Sequence, residues 1–346
     1  MDNALHIAFC FDQGYVMPTG VAMYSICVNT PEPVCFHALV SQGVAEEAKQ
    51  QMERMVVSHG KKIVFHVVDN TSVKGVYSNA DTHISNCTYY RFLLPYLLPS
   101  DVSKAIYLDG DLITLGSLLP LWETELAPDE PAAIACDFMS DDVIVHNRIG
   151  TPPSQPYFNG GVIVFNLDCW RKEGLGAICL EESRKQSYYL MDQDVVNVLL
   201  GHRIKRLHFK YNCQTEFFLN PEQYWTVSRE KYFDEIHEAM KKPVIMHFIG
   251  CRKPWHKGYP LASEWLEYKA ASPWKDLPMQ SSSYGMWLNV RFPALQDSDH
   301  DLAEGIAAPM IALAVRLGQS HPRVFRIFRK IVWSIAKKLH LFDNWR

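Results

Sequence analysis

Two carboxylates end a short apolar run at Lys104-Ala105-Ile106-Tyr107-Leu108-Asp109-Gly110-Asp111. At strand period Asp109 and Asp111 point the same way, so their oxygens converge on one point. Like charges that close need a proton or a cation between them. A hard divalent cation takes such oxygens and shares its other positions with phosphates. Gly110 leaves out the side chain that would crowd that point. A solvated turn after an edge strand fits the same three residues. Further on, Pro243-Val-Ile-Met-His247-Phe-Ile249 ends in a histidine, followed by Gly250 and Lys253. His247 fits a core position, or it completes the two-carboxylate site with Lys253 nearby for phosphate. Asp192-Gln193-Asp194 opens an apolar helical stretch. Acids suit a helix N-terminus, yet capping accounts for only one of them, which leaves a role at a reacting centre open. Arg91 sits amid apolar residues and suits either a core ion pair or a phosphate or carboxylate partner near the site.

These residues need a scaffold that brings strand ends together. Residues 5–11 read as a buried strand, followed by a turn at Asp12-Gln13-Gly14 and a helix over 18–28 opened by Pro18. A strand at 34–40, a helix at 43–58 and a strand at 62–68 continue the pattern. Alternating strands and helices predict a parallel sheet wrapped by helices. Ligands gather at the carboxyl ends of such strands, where Asp12, Asp109 and Asp111 all fall. A helix is expected over 83–92 after a loop. The strand at 131–136 delivers Asp137, and the polar stretch 138–156 is long enough for a lid or acceptor loop. Gly160 and Gly161 predict a close backbone approach or a sharp turn before a strand, with the Asn159 amide beside them.

At 346 residues with 48% hydrophobic and 21% charged residues, the chain has the make-up of a globular protein with a large core. A formal net charge of −4 excludes a chain built to coat nucleic acid. The start has no basic flank or long apolar core of a secretory signal, and no run of about 18–20 apolar residues predicts a spanning helix. Nine cysteines, odd in number and without a Cys-x-x-Cys, read as reduced thiols in a cytoplasmic protein. None is nominated for zinc or catalysis.

Six motifs in order, from Ile7-Ala8-Phe9 with Asp12 through Tyr89-Tyr90-Arg91-Phe92, Tyr107-Leu108-Asp109-Gly110-Asp111, Phe158-Asn159-Gly160-Gly161-Val162, Asp192-Gln193-Asp194 and His247-Phe248-x-Gly250-x-x-Lys253-Pro254-Trp255, resemble glycosyltransferase family 8 over about residues 5–260. The resemblance implies a GT-A fold, a Rossmann-like mixed and mostly parallel sheet flanked by helices, with a helical C-terminal extension over 261–319. It implies retaining transfer from a UDP-hexose, with Mn²⁺ or Mg²⁺ on the diphosphate held by Asp109, Asp111 and His247. Cys10, Phe11 and Asp12 would face uridine, and Gly110, Gly250 and Lys253 the diphosphate. Arg91, Asp137, Asn159, Asp192 and Gln193 would line the sugar, with His83 a further candidate. Gly110 and Gly160 replace residues more usual in the family, a mild departure, and Gln13-Gly14 replaces a more usual Asp-Asn pair beside the nucleotide. Gln193 would lie at the anomeric carbon, where a front-face route is favoured over double displacement through Asp194.

Tyr211–Asn220 and Tyr268–Trp274 are similar to stretches of lipopolysaccharide core hexosyltransferases. They imply UDP-glucose or UDP-galactose as donor and the core oligosaccharide as acceptor. A transferase for another glycan, or a non-catalytic sugar-nucleotide binder, are the rival readings. Residues 320–346 carry Arg323, Arg326, Arg329, Lys330, Lys337, Lys338 and Arg346 against Asp343 alone, and Arg323, Arg326, Lys330 and Lys337 cluster opposite an apolar stripe. A basic amphipathic helix of this kind either lies on the cytoplasmic face of the inner membrane or docks on the protein's own core.

Overall fold

The computed structural model describes residues 4–78, 84–219, 227–257 and 259–280. His83 and the segment 281–346, with the basic helix expected there, lie outside the described residues. The described residues form two compact units, the first up to His247 with Ala271–Lys275 added, the second made of Phe248–Ala270 and the residues 276–280.

In the first unit β1 (Leu5–Phe11), α1 (Val16–Asn29), β2 (Val34–Ser41), α2 (Glu46–Ser58) and β3 (Lys62–Val68) follow the alternation read from the sequence. β1 and β2 are buried almost throughout, which is why both read as unbroken apolar runs. Then come β4 (Lys104–Leu108), β5 (Leu112–Thr114), β6 (Ala132–Cys136), β7 (Phe158–Asn166), β8 (Lys205–Leu207), β9 (Cys213–Gln214) and β10 (Ile245–His247). Seven strands make one sheet in the order β3-β2-β1-β4-β7-β6-β8. Its pairs are parallel except where β7 runs antiparallel to both β4 and β6. A second sheet of three strands, β5-β10-β9, lies past the end of β4.

Several local expectations change. The segment before β4 forms a 3₁₀ helix, Asn86–Leu93, capped by the Ser85 hydroxyl, which accepts from the Cys87 N–H at 3.3 Å. The polar stretch 138–156 is not a bare loop. It contains α3 (Val143–Ile149), opened by Asp142 and closed by Gly150 at φ +71°. Gly160 and Gly161 lie inside β7 rather than in a turn before it. The strand expected over 243–249 keeps only the three residues of β10, because its partners are the short β5 and β9. In the second unit the Trp255 and Trp265 rings pack 5.7 Å apart, and Lys253 donates from Nζ to the Phe248 carbonyl at 2.8 Å.

His37 on β2 is 2% exposed. Burial, with His6 and His66 beside it, pushes its imidazole down to about 3. An unfolded imidazole titrates near about 6.5, so as the pH falls the unfolded chain takes up this proton first. The stability of the neutral buried ring is full above about pH 6.5 and is lost progressively toward about pH 3. Between pH 7 and pH 5 this one group removes about 2 kcal/mol. In urea melts at the two pH values, wild type should lose that much more stability than His37→Gln.

Candidate active site

Strand register assembles the first cluster. Asp109 and Asp111 follow β4, and the backbone N–H of Asp109 donates to the Gly161 carbonyl of β7 at 2.9 Å. On the small sheet His247 is the register partner of Leu112, so its ring arrives beside Asp111. Nε2 of His247 lies 3.3 Å from Asp111 Oδ1 and 3.9 Å from Asp109 Oδ2. One ligand atom from each of the three lies within 4.8 Å of the others, a spacing that one cation can bridge.

Two glycines make room for this cluster. A Cβ on Gly161 would land in the His247 ring, so only glycine leaves the imidazole its place. A Cβ on Gly110 would meet Thr19 Oγ1 of α1 and come within 3.2 Å of Tyr15. Gly110 is thus required by the protein's own packing, and not only by what binds between the carboxylates.

The imidazole's tautomer follows from its neighbours. Asn159 Oδ1 accepts from the Gly161 N–H at 3.0 Å and from Asn212 Nδ2 at 2.9 Å. With its amide nitrogen spent on Asn159, Asn212 turns Oδ1 to His247 Nδ1 at 2.9 Å and accepts from it. Nδ1 therefore carries a proton, and Nε2 is the nitrogen that faces the carboxylates. That is the arrangement of a metal-ligating histidine whose second nitrogen is held by an outer partner. Two carboxylate oxygens and one imidazole nitrogen suit a divalent cation such as Mn²⁺ or Mg²⁺.

Arg91 flanks the cluster and unites both readings of it. It is 3% exposed, its guanidinium lies 4.1 Å from the Tyr107 ring centroid, and its Nη1 donates to the Gly160 carbonyl. Nη2 donates to Asp109 Oδ1 at 3.0 Å and Nε pairs with Asp192 Oδ2 at 2.9 Å. Burial opposes the arginine's charge, but Asp192, Tyr107 and Asp109 outweigh it and hold the guanidinium protonated. The Tyr107 hydroxyl donates to the same Asp109 Oδ1 at 2.6 Å. Asp109 therefore keeps Oδ2 for the cluster. Asp192 also accepts from the Thr88 hydroxyl at 2.5 Å, and burial raises its carboxyl above the usual range while Arg91 pulls it back.

A second set continues from Asn159. Its Nδ2 donates to Asp137 Oδ2 at 2.8 Å, and Gln193 Nε2 donates to the same oxygen at 3.2 Å. Burial raises the Asp137 carboxyl, against these donors and the Met139 N–H. Gln193 stands in the first turn of α4 (Met191–Leu200), and its Oε1 accepts from the Gly160 N–H at 2.9 Å. Asp194 is fully buried. Its Oδ1 accepts from Arg148 of α3 at 2.8 Å and from the Tyr157 hydroxyl, and its Oδ2 accepts from the Leu190 N–H at 2.9 Å. Asp194 thus ties α3 and the residue that leads into β7 to the start of α4.

At the end of β1, Phe11 is 1% exposed and Cys10 is partly covered. Burial raises the Cys10 thiol well above its ordinary value, with Arg91 acting against it. Asp12 caps the next turn, accepting from the Gly14 N–H at 2.9 Å. Gly250, at φ +82°, and Lys253 belong to the second unit. Thr88, Tyr107, Arg148, Tyr157 and Asn212 were not legible as site residues. All but Tyr107, whose hydroxyl reaches Asp109 two residues on, act through a partner distant in sequence, and a buried asparagine looks like any loop asparagine until folded.

The family model for glycosyl transferase family 8 matches residues 6–258. General stress protein A of Bacillus subtilis is 27% identical over 289 residues, covering 80% of this chain and 96% of that protein. The lipopolysaccharide 1,3-galactosyltransferase of Salmonella typhimurium is 26% identical over 280 residues, covering 79% of this chain and 80% of that one. Among solved structures, the galactosyltransferase LgtC in complex with donor and acceptor sugar analogues superposes with a TM-score of 0.67 at 25% identity, over 78% of this chain and 96% of that one. The mixed sheet described above is the GT-A arrangement of such enzymes. This chain belongs to glycosyltransferase family 8, as a relative of the lipopolysaccharide glucosyl- and galactosyltransferases.

Proposed function

We propose that this protein transfers glucose or galactose from a UDP-sugar to the lipopolysaccharide core with retention at the anomeric carbon, using a divalent cation held by Asp109, Asp111 and His247. The observation that carries this is the tautomer lock. Asn159 orients Asn212, Asn212 orients His247, and Nε2 is left facing two carboxylates. When bound, the cation would offset the charge that grows on the departing diphosphate.

The chain's own residues account for the rest. Arg91 and Tyr107 hold Asp109 so that one oxygen stays with the cluster. Asp137, Asn159 and Gln193 form a connected polar group that suits the hydroxyls of a hexose. The Gln193 carbonyl keeps a lone pair beyond its bond to Gly160, suited to an anomeric carbon gaining positive character. An amide is a poor nucleophile, and both oxygens of Asp194 are occupied in the core. Asp194 is therefore a positioning residue, and the route is front-face, with the departing phosphate assisting loss of the acceptor's proton. Cys10, Phe11 and Asp12 line the uridine side. Among the described residues no helix is long and apolar enough to cross a membrane. The basic character of 320–346 supports placement on the cytoplasmic face of the inner membrane, where a lipid-anchored acceptor would lie.

The test is a donor screen against truncated lipopolysaccharides in the presence of Mn²⁺ or Mg²⁺. One of UDP-glucose and UDP-galactose should give a single added hexose with retained configuration. Absence of transfer and of slow hydrolysis with every UDP-hexose would contradict the reading.

A further inference from the structure

At the opposite end of the same strands, the register places three imidazoles and a thiol on one sheet face. His6 pairs with Cys35, Ala8 with His37, and Leu39 with His66, so these side chains emerge side by side at strand period. Nδ1 of His6 lies 3.0 Å from Nε2 of His37, and Nδ1 of His37 lies 3.2 Å from Nε2 of His66. The rings stack at 5.3 and 5.5 Å, and Trp122 covers the His6 end at 6.2 Å. Ligand atoms of His6, Cys35 and His37 all lie within 4.8 Å of one another.

We infer that His6, Cys35 and His37 form a second metal site, selective for Zn²⁺ or a similarly soft divalent ion and separate from the Asp109 cluster. Two imidazole nitrogens and a thiolate are ligands that zinc takes and that Mg²⁺ does not. Around tetrahedral zinc, with Zn–N of about 2.0–2.1 Å, two nitrogens stand about 3.3 Å apart. The 3.0 Å separation of His6 Nδ1 and His37 Nε2 needs to open by only a few tenths of an ångström. His66 supplies the outer partner. With His37 donating from Nδ1 to His66 Nε2, its own Nε2 carries the lone pair. On binding, the proton between His6 and His37 moves to the far nitrogen of His6. The Cys35 thiol releases its proton to solvent as the sulfur–metal bond forms. Three protein ligands leave the fourth position for water. Cys35 and His37 stand two residues apart on β2, but His6 joins them only through the pairing of β1 with β2, so the cysteine spacing does not mark this site.

Full-length Asp111→Asn protein, which lacks one of the acidic cluster's two carboxylates, should be titrated with Co²⁺. A near-ultraviolet sulfur-to-cobalt charge-transfer band should saturate at one ion per chain, be displaced by Zn²⁺ and withstand excess Mg²⁺. Adding Cys35→Ala should abolish the band, and His66→Ala should weaken binding about 10–100-fold. In wild type, Zn²⁺ should slow alkylation of Cys35, read by peptide mapping, which keeps the test open if Cys35→Ala folds poorly. Absence of the band, its persistence without Cys35, or Cys35 alkylation unaffected by Zn²⁺ would each overturn the site.

Discussion

Asp111→Asn should leave the protein folded and transfer reduced by about 10³-fold, the scale expected when a preorganised charge at the leaving group is lost. Asparagine keeps the shape and one oxygen but removes the charge. Asp111 is 8% exposed and stands 3.3 Å from the His247 Nε2, so water cannot take over its place. Stability should be unchanged or slightly higher, because one of two facing carboxylates is gone. Loss of activity together with unchanged or raised thermal stability separates a ligand role from a folding role. Near-normal turnover at matched cation concentration would remove Asp111 from the site.

Gly161→Ala should be almost as damaging, by a different cause. The new methyl would occupy the space of the His247 imidazole, contacting Cε1 and both ring nitrogens. β7 cannot yield easily, since it is paired to β4 on one side and β6 on the other. The ring must turn away, breaking the bond from Nδ1 to Asn212 and taking Nε2 from the carboxylates. Transfer should fall about 10²-fold and stability by about 1–3 kcal/mol, the usual cost of overpacking. Gly160→Ala is the internal comparison. Its Cβ would come 3.0 Å from Arg91 Nη1, a contact that a small shift relieves, so its loss should be clearly smaller. Transfer rates and thermal melts of the two variants provide the ranking.

The parts of the fold legible in the sequence are those whose burial leaves a continuous pattern. β1, α1, β2, α2 and β3 fall close to their expected bounds. β1 and β2, covered on both faces, read as apolar runs, and the edge strand β3 keeps an apolar sequence although much of it is open to solvent. The antiparallel course of β7 was not legible, since a strand's direction depends on partners remote in the chain. Nor was the small sheet, whose β9 has only two residues. The carboxylates and His247 stood out because they end apolar runs. Asn212 and Tyr157 did not, although the first fixes the histidine and the second bonds both Gln193 and Asp194. Arg91 had two readings on sequence grounds, and the structure merges them. It is a buried ion-pair residue whose partners, Asp109 and Asp192, both belong to the candidate site.

The central claim is that Asp109, Asp111 and His247 hold a divalent cation for the diphosphate of a UDP-sugar. The most direct test is calorimetric titration of UDP into wild type and Asp111→Asn, each with saturating Mn²⁺ and with a chelator. Wild type should bind UDP at least about tenfold more tightly with Mn²⁺ than with chelator, and the variant should show no such difference. Equal UDP affinity with and without the cation in wild type, or an undiminished Mn²⁺ effect in the variant, would contradict it.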